Sequence, residues 1–260
     1  MSIKPSALNL ALDMQQFAPE RQNPPCKYGL PAEVAFCTKC GVSNQRPNSA
    51  VEFQHTEASQ KKTINFDSYG VCDACRNAAR KAAEIDWDER EAKLVTLCDR
   101  FRSNNGSYDC LVPGSGGKDS FYQSWMLKYK YGMNPLTVTW APNIYTDWGR
   151  HNFDAWIHSG MDNYLMTASG RSKRILTRLA VENIFHAFQP FIIGQKCFAP
   201  KMALMFKIPL VFYGENEAEY GNPIDDNAEA QRSYDYFASS GDENMFLGGQ
   251  SVASLKSDFG

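Results

Sequence analysis

The chain has no apolar run near the roughly 18 residues that a membrane-spanning helix needs, which excludes insertion by that route. It also lacks an excess of positive charge. With 27 Lys and Arg against 29 Asp and Glu, the formal net charge is −2, so no general basic field exists for a nucleic-acid backbone and bulk RNA binding is disfavoured. Histidine is scarce at four residues, and His151, His158 and His186 carry no metal-ligand spacing; they read as surface or core side chains. The opening stretch MSIKPSALNLALDMQQFAPE contains acidic residues and no cleavable secretory layout, so the expected compartment is the cytoplasm.

What is present is a soluble globular composition. A chain of 260 residues with 43% apolar content can bury one substantial core and carry a small second module. Eight cysteines are more than such a chain needs for stability, and their spacing points away from disulfides. Cys37-x-x-Cys40 and Cys72-x-x-Cys75 are two pairs separated by 31 residues, and each can place two thiolates on one metal. Together they supply the four sulfurs of a structural Zn²⁺. A redox role for each pair, or an iron–sulfur cluster, competes with this reading. The long separation is absorbed by the polar stretch 43–63, which reads as a loop or hairpin bulging from a zinc ribbon.

The densest chemistry lies near the middle of the chain. The apolar run Cys110-Leu111-Val112 leads into Ser115-Gly116-Gly117-Lys118-Asp119-Ser120, which leads into Phe121-Tyr122-Gln123-Ser124-Trp125. A glycine-rich loop joining a strand to a helix cradles phosphate: the backbone can turn tightly and approach an anion, and the helix start offers N–H groups. Ser115 and Ser120 add hydroxyl donors and Lys118 a mobile cation. The order is not that of a Walker A loop, because Asp119 stands where Ser or Thr would be. A carboxylate in such a loop is repulsive unless a divalent cation bridges it, so Asp119 is expected to hold Mg²⁺.

Residues 1–30 read as an extended N-terminal arm, 31–77 as the zinc-binding module, and 78–106 as a connecting helix and turn, with a helix expected over 77–101. From residue 107 to 260 strands and helices alternate. Strands are expected at 109–112, 136–140, 163–166 and 208–213, a strand or turn at 191–193, and helices at 119–131, 147–159, 172–187 and 198–206. This is an α/β pattern with a parallel sheet covered on both faces. Ligands then bind beyond the carboxyl ends of strands, where the loop, Trp140-Ala141-Pro142-Asn143 and Gly214-Glu215-Asn216-Glu217 all fall. Glu215, Glu217 and Glu219 would repel one another unless a cation or a hydroxyl-rich ligand sits among them; a solvated loop is the alternative. Gly194-Gln195-Lys196-Cys197 is expected at a similar place, with Cys197 either a thiol carrier or a small buried residue. Lys173, Arg174 and Arg178 read as a solvated helix face.

The loop resembles the PP-loop of ATP pyrophosphatases, the HUP or adenine nucleotide α-hydrolase-like fold. Taken with Cys37-Thr38-Lys39-Cys40, Asn44-Gln45-Arg46-Pro47-Asn48, Phe66 to Cys75, Phe191 to Lys196 and Tyr213 to Asn222, the chain resembles the N-acetyl sugar amidotransferase family, the WbpG-type proteins of lipopolysaccharide biosynthesis. The resemblance spans residues 37 to 222. It implies conversion of an acetamido group on a UDP-linked N-acetyl sugar to an acetamidino group, with ATP cleaved to AMP and pyrophosphate. Lys118, Asp119, Glu215 and Glu217 are the candidate catalytic residues. Ser115, Gly116, Gly117, Lys118, Asp119, Ser120 and Trp140 would bind the nucleotide, and Gln195, Lys196, Glu215, Asn216, Glu217, Tyr220 and Asn222 the sugar. No cysteine comes with a glutaminase context, so ammonia is expected from a partner glutaminase and a cyclase-like subunit of the HisH/HisF type. Family members continue past Gly260, so the resemblance implies a C-terminally truncated domain. Two alternatives are a tRNA-modifying PP-loop enzyme of the thiolation or lysidine type, and a zinc-ribbon interaction module fused to a degenerate nucleotide-binding domain.

Overall fold

The computed structural model describes residues 27–47, 55–214, 237, 241 and 245–260. The chain is a mixed α/β protein whose central sheet holds three parallel strands: β1 (Cys110–Pro113), β2 (Pro135–Trp140) and β3 (Asp162–Met166), in the order β1-β2-β3. On the free side of β1, Leu111 and Val211 form a parallel bridge, with Leu111 donating its N–H to Leu210 O and accepting from Phe212 N, each at 2.9 Å. The expected strand 208–213 is thus a single bridge. Pro113, the last residue of β1 on the edge that faces this segment, has no N–H to donate to it, so the ladder cannot extend past the bridge at that end.

Strand order therefore runs outward from β1 to β2 and β3, then returns to the other side of β1. Side-chain alternation sorts the two faces. Leu111, Leu136 and Val138 pack on Phe198, Ala199, Met202 and Ala203 of α6 (Gln189–Phe206). Cys110 and Val112 point the other way, into a cluster with Cys98 of α2 (Trp87–Phe101) and with Leu127 and Met133. Leu127 lies in a π-helical turn, Met126–Lys130, which prolongs α3 (Lys118–Trp125). On that same side α4 (Asp147–His158) is tied to α3 by Trp156, whose Nε1–H donates to Ser124 Oγ at 2.7 Å in a buried bond. Helices cover both faces, as the alternating pattern predicts.

Two differences from the sequence expectation have local causes. The helix expected over 77–101 is two helices, α1 (Asp73–Glu84) and α2, because Asp86 accepts from the N–H groups of Asp88 and Glu89, both at 3.0 Å, and so caps a new helix. The strand or turn expected at 191–193 lies at the start of α6, as its third to fifth residues. Pro190 near the helix start presets the backbone, and a short apolar run such as Phe191-Ile192-Ile193 does not distinguish a strand from a buried helix.

After α5 (Gly170–Ile184) and α6, a C-terminal hairpin, β4 (Phe246–Leu247) with β5 (Gln250–Ser251), leads into α7 (Val252–Phe259). Gln189, fully buried, holds this hairpin: its Oε1 accepts from Gly248 N at 2.9 Å and its Nε2 donates to Phe246 O at 3.2 Å. Among the described residues, no helix is long and apolar enough to cross a membrane.

Candidate functional site

The glycine-rich loop occupies the carboxyl end of β1, and the helix expected at 119–131 is α3, which begins one residue earlier at Lys118, followed by the π-helical turn to Lys130. Each glycine has a separate task. A Cβ at Gly114 would lie 2.3 Å from Ser120 Cβ and 3.0 Å from the Trp156 ring, so a side chain there would push the loop off the helix layer. Gly116 has φ +82°, and a Cβ would fall 2.7 Å from Phe153 Cα and 2.8 Å from Asn152 O, so only glycine lets the loop lie against α4. Gly117 is different. A Cβ there would meet only Ser115 Oγ, at 3.8 Å, leaving the backbone at the helix start open to approach.

No side chain of the described residues caps the α3 N-terminus. A helix start carries N–H groups without intrahelical partners and the positive end of the dipole, which favour an anion. Lys118 and Asp119 are exposed and paired, Nζ to Oδ1 at 2.7 Å. Ser120 Oγ donates to Gly117 O at 3.3 Å, bracing the turn. Cation, carboxylate, hydroxyls and the N–H groups of a helix start thus lie within one turn of backbone.

Because strand order reverses at β1, the crevice between β1 and the Val211 segment is the topological switch point of the sheet, where open α/β sheets receive ligands. Gly214, just past that segment, stands against α3: a Cβ there would be 3.6 Å from the Asp119 carbonyl carbon and 3.3 Å from Gln123 Oε1. The expected sugar-site and catalytic residues Glu215, Asn216, Glu217, Tyr220 and Asn222 lie outside the described residues, as does most of the N-terminal arm.

Trp140 ends β2 and packs its indole on α6. A Cβ at Gly194 would sit 2.5 Å from Trp140 Nε1, so the glycine in the middle of α6 makes room for the ring. Lys173 Nζ donates to Ala141 O at 2.9 Å and lies 6.0 Å from the Trp140 ring centroid, and burial lowers its pKa. Sequence reading put Lys173 on a solvated face with Arg174 and Arg178; instead it turns inward, to a largely apolar cleft bounded by Trp140, Leu176, Pro190 and Phe191. Arg178 meets the expectation, in an exposed i,i+4 pair with Glu182. Gln195 and Lys196 are helical, on α6, and not at a strand's carboxyl end; Gln195 is exposed. Cys197 donates to Phe237 O at 3.3 Å, and burial pushes its thiol pKa up, which fits the small buried residue and not an activated thiol carrier.

The second site is the cysteine cluster. Sγ atoms of Cys37, Cys40, Cys72 and Cys75 all lie within 4.8 Å of one another. Tetrahedral Zn²⁺ with Zn–S near 2.3 Å needs sulfurs roughly 3.8 Å apart, and the 3.6 Å between Cys40 and Cys72 matches. Gly41 (φ +76°) and Gly70 (φ +74°) make the knuckle turns. Burial raises the Cys37 pKa, but the N–H groups of Cys40, Cys72 and Lys39 aimed at its sulfur outweigh that and bring it down to about 6. The same turns that shape the module therefore solvate a thiolate, and the donor set fits zinc. Asp67 stiffens the second knuckle by accepting from Tyr69 N and Val71 N, each at 2.9 Å. Tyr28 ties this module to the sheet domain by donating its hydroxyl to Ile184 O.

No protein-family model matches the chain. The uncharacterized protein MJ1599 of Methanocaldococcus jannaschii is similar, at 30% identity over 84 residues, which is 32% of this chain and 29% of that protein. The match therefore spans less than a third of the relative's length.

Proposed function

We propose that the chain is an ATP-dependent amidotransferase of the PP-loop type that acts in the cytoplasm on the acetamido group of a UDP-linked N-acetyl sugar. The observation that carries this reading is the loop 115–120, which leads from β1 into the start of α3 at the switch point of a parallel sheet. Such a site favours the terminal phosphates of a nucleotide, with Ser115, Gly116, Gly117, Lys118 and Ser120 around them. The apolar cleft beside Trp140, at the end of the neighbouring strand, suits a planar ring such as adenine.

The chemistry follows from what an amide requires. Its carbonyl is a poor electrophile, because the nitrogen lone pair is delocalised and oxide is not a viable leaving group. Attack of the amide oxygen on the α-phosphorus of ATP expels pyrophosphate and converts that oxygen to a phosphate ester. Ammonia then adds to the carbon, AMP departs with the original oxygen, and the acetamidino group remains. The loop N–H groups and Lys118 stabilise charge as it builds on pyrophosphate. Magnesium, held by Asp119, would supply further neutralisation of that charge. Glu215 and Glu217, directly after Gly214 in sequence, are the candidates for sugar hydroxyl contacts or for deprotonating ammonium. The four cysteines hold zinc structurally, and ammonia comes from a glutaminase partner with its cyclase-like subunit.

The decisive experiment incubates the protein with ATP, Mg²⁺, ammonium and candidate UDP-N-acetyl sugars, reading the sugar by mass spectrometry and the nucleotide by chromatography. Replacement of O by NH with AMP formation is the expected result. ADP as the nucleotide product would overturn the reading.

A further inference from the structure

On the inner side of α3, Gln123 presents a buried Oε1 that has no hydrogen-bond donor among the described residues. It stands one turn after Asp119, on the same face of the helix, where both approach Gly214: a Cβ at Gly214 would lie 3.3 Å from Gln123 Oε1 and 3.7 Å from Asp119 O. A buried acceptor left unpaired costs about 1–3 kcal/mol, and native structures keep few of them. This one borders the switch-point crevice, beside the loop argued to hold phosphates.

A carboxamide oxygen can only accept. Its partner must bring a hydrogen, which excludes the ionised phosphate oxygens of the nucleotide. With adenine placed beside Trp140, the nitrogen-borne hydrogens at the reacting carbon are the acetamido N–H of the sugar and those of the incoming ammonia. Gly214 packs close to this oxygen, and a Cβ there, at 3.3 Å, would press on it.

We propose that Gln123 is a positioning residue whose carboxamide oxygen, in the crevice between α3 and Gly214, accepts a hydrogen bond from an N–H of the nitrogen reactant. The assignment rests on the amidotransferase reading for its role, but the N–H site itself can be probed without turnover.

The test uses the full chain and two variants. Gln123→Met keeps the side-chain length and removes the carboxamide oxygen; Gln123→Glu keeps acceptors in the same place. Gln123→Met should raise KM for ammonium, or for the N-acetyl sugar, roughly tenfold or more, a loss of about 1.4 kcal/mol in binding, with KM for ATP unchanged. Gln123→Glu should restore most of it. A rise for ammonium alone identifies ammonia as the donor, and a rise for the sugar alone identifies the acetamido N–H. Unchanged values for both, or a matching rise for ATP, would overturn the proposal.

The second readout is the side-chain amide resonance of Gln123 in nitrogen-15-labelled protein titrated with ammonium chloride or N-methylacetamide, against sodium chloride. A shift with either probe at the Gln123 signal supports the site even where no AMP is formed, in which case only the amidotransferase reading fails. No shift with either probe means the oxygen holds water alone, and the proposal fails even where AMP is formed.

Discussion

Gly214 stands against the first turn of α3, where a Cβ would lie 3.6 Å from the carbonyl carbon of Asp119. Two segments nearly a hundred residues apart in the chain therefore meet at one crevice: the loop that starts α3 and the segment that leaves the sheet beside β1. The contact exists because strand order reverses at β1, so the turn after each of those neighbouring strands is directed to the same end of the sheet.

Asp119 is exposed, and its carboxylate pairs with the still more exposed Lys118. Exposed pairs contribute little to stability, typically under about 1 kcal/mol. Asp119→Ala should thus leave the thermal unfolding midpoint almost unchanged while lowering AMP formation by roughly a hundredfold or more, the scale expected when a charge-stabilising group at a reacting phosphate is removed. Comparable AMP release from the variant would remove Asp119 from the mechanism.

Gly194 sets two effects against each other. Alanine in a helix interior is favoured over glycine by about 0.5–1 kcal/mol. Yet a Cβ at 194 would fall 2.3 to 2.5 Å from three atoms of the Trp140 indole, and overpacking of this kind typically costs about 1–3 kcal/mol. The overlap wins, so Gly194→Ala should lower stability and shift the tryptophan fluorescence. A variant more stable than the parent would show that α6 does not rest on Trp140.

How much of this was legible in the sequence depends on how local the signal was. The loop and its flanking strand and helix were readable because glycine placement and apolar runs are local. The four cysteines were readable because knuckle spacing is local too. Lys173 was not: nothing in the pattern around it says that Ala141 O, 32 residues away, lies within reach. Gln123 was equally silent, since its meaning comes from Gly214 across the sheet. Of the helix at 189–206 only 198–206 was expected; its start was missed because the short apolar run Phe191-Ile192-Ile193 carries no helical period.

The cysteine cluster predicts about one zinc per chain. Cys72 is fully buried, so Cys72→Ser should lose the metal and much of the folding yield. The pH dependence has a definite sign. Burial and the neighbouring thiols push Cys75 up to about 12, and burial raises Cys72, so both hold protons near neutrality and must release them on binding zinc. Cys37, at about 6, needs no such release above that pH but takes up a proton below it. Zinc affinity should therefore climb with pH through neutrality and fall further below pH 6, measured by competition with a chromophoric chelator. Affinity that is flat from pH 6 to 8 would rule out this ligand set.

Gln189 offers a test of how the chain's C-terminal hairpin is held. Its carboxamide, fully buried, satisfies Gly248 N and Phe246 O, while Asn183 Nδ2 donates to Gly248 O at 2.9 Å. Gly248 and Gly249, at φ +61° and +78°, lie so close to α5 that a Cβ on either would come within 2.9 Å of a side chain there. Gln189→Leu fills a similar volume but leaves a backbone N–H and a carbonyl unpaired in a closed space. Each such group costs about 1–3 kcal/mol, and the hairpin can escape part of that cost only by detaching from α5 and α6. Limited proteolysis should therefore cut the variant ahead of residue 246 at least tenfold faster than the parent, with the zinc content unchanged. Equal cleavage rates would show that the glycine contacts with α5, and not the buried carboxamide, keep the hairpin in place.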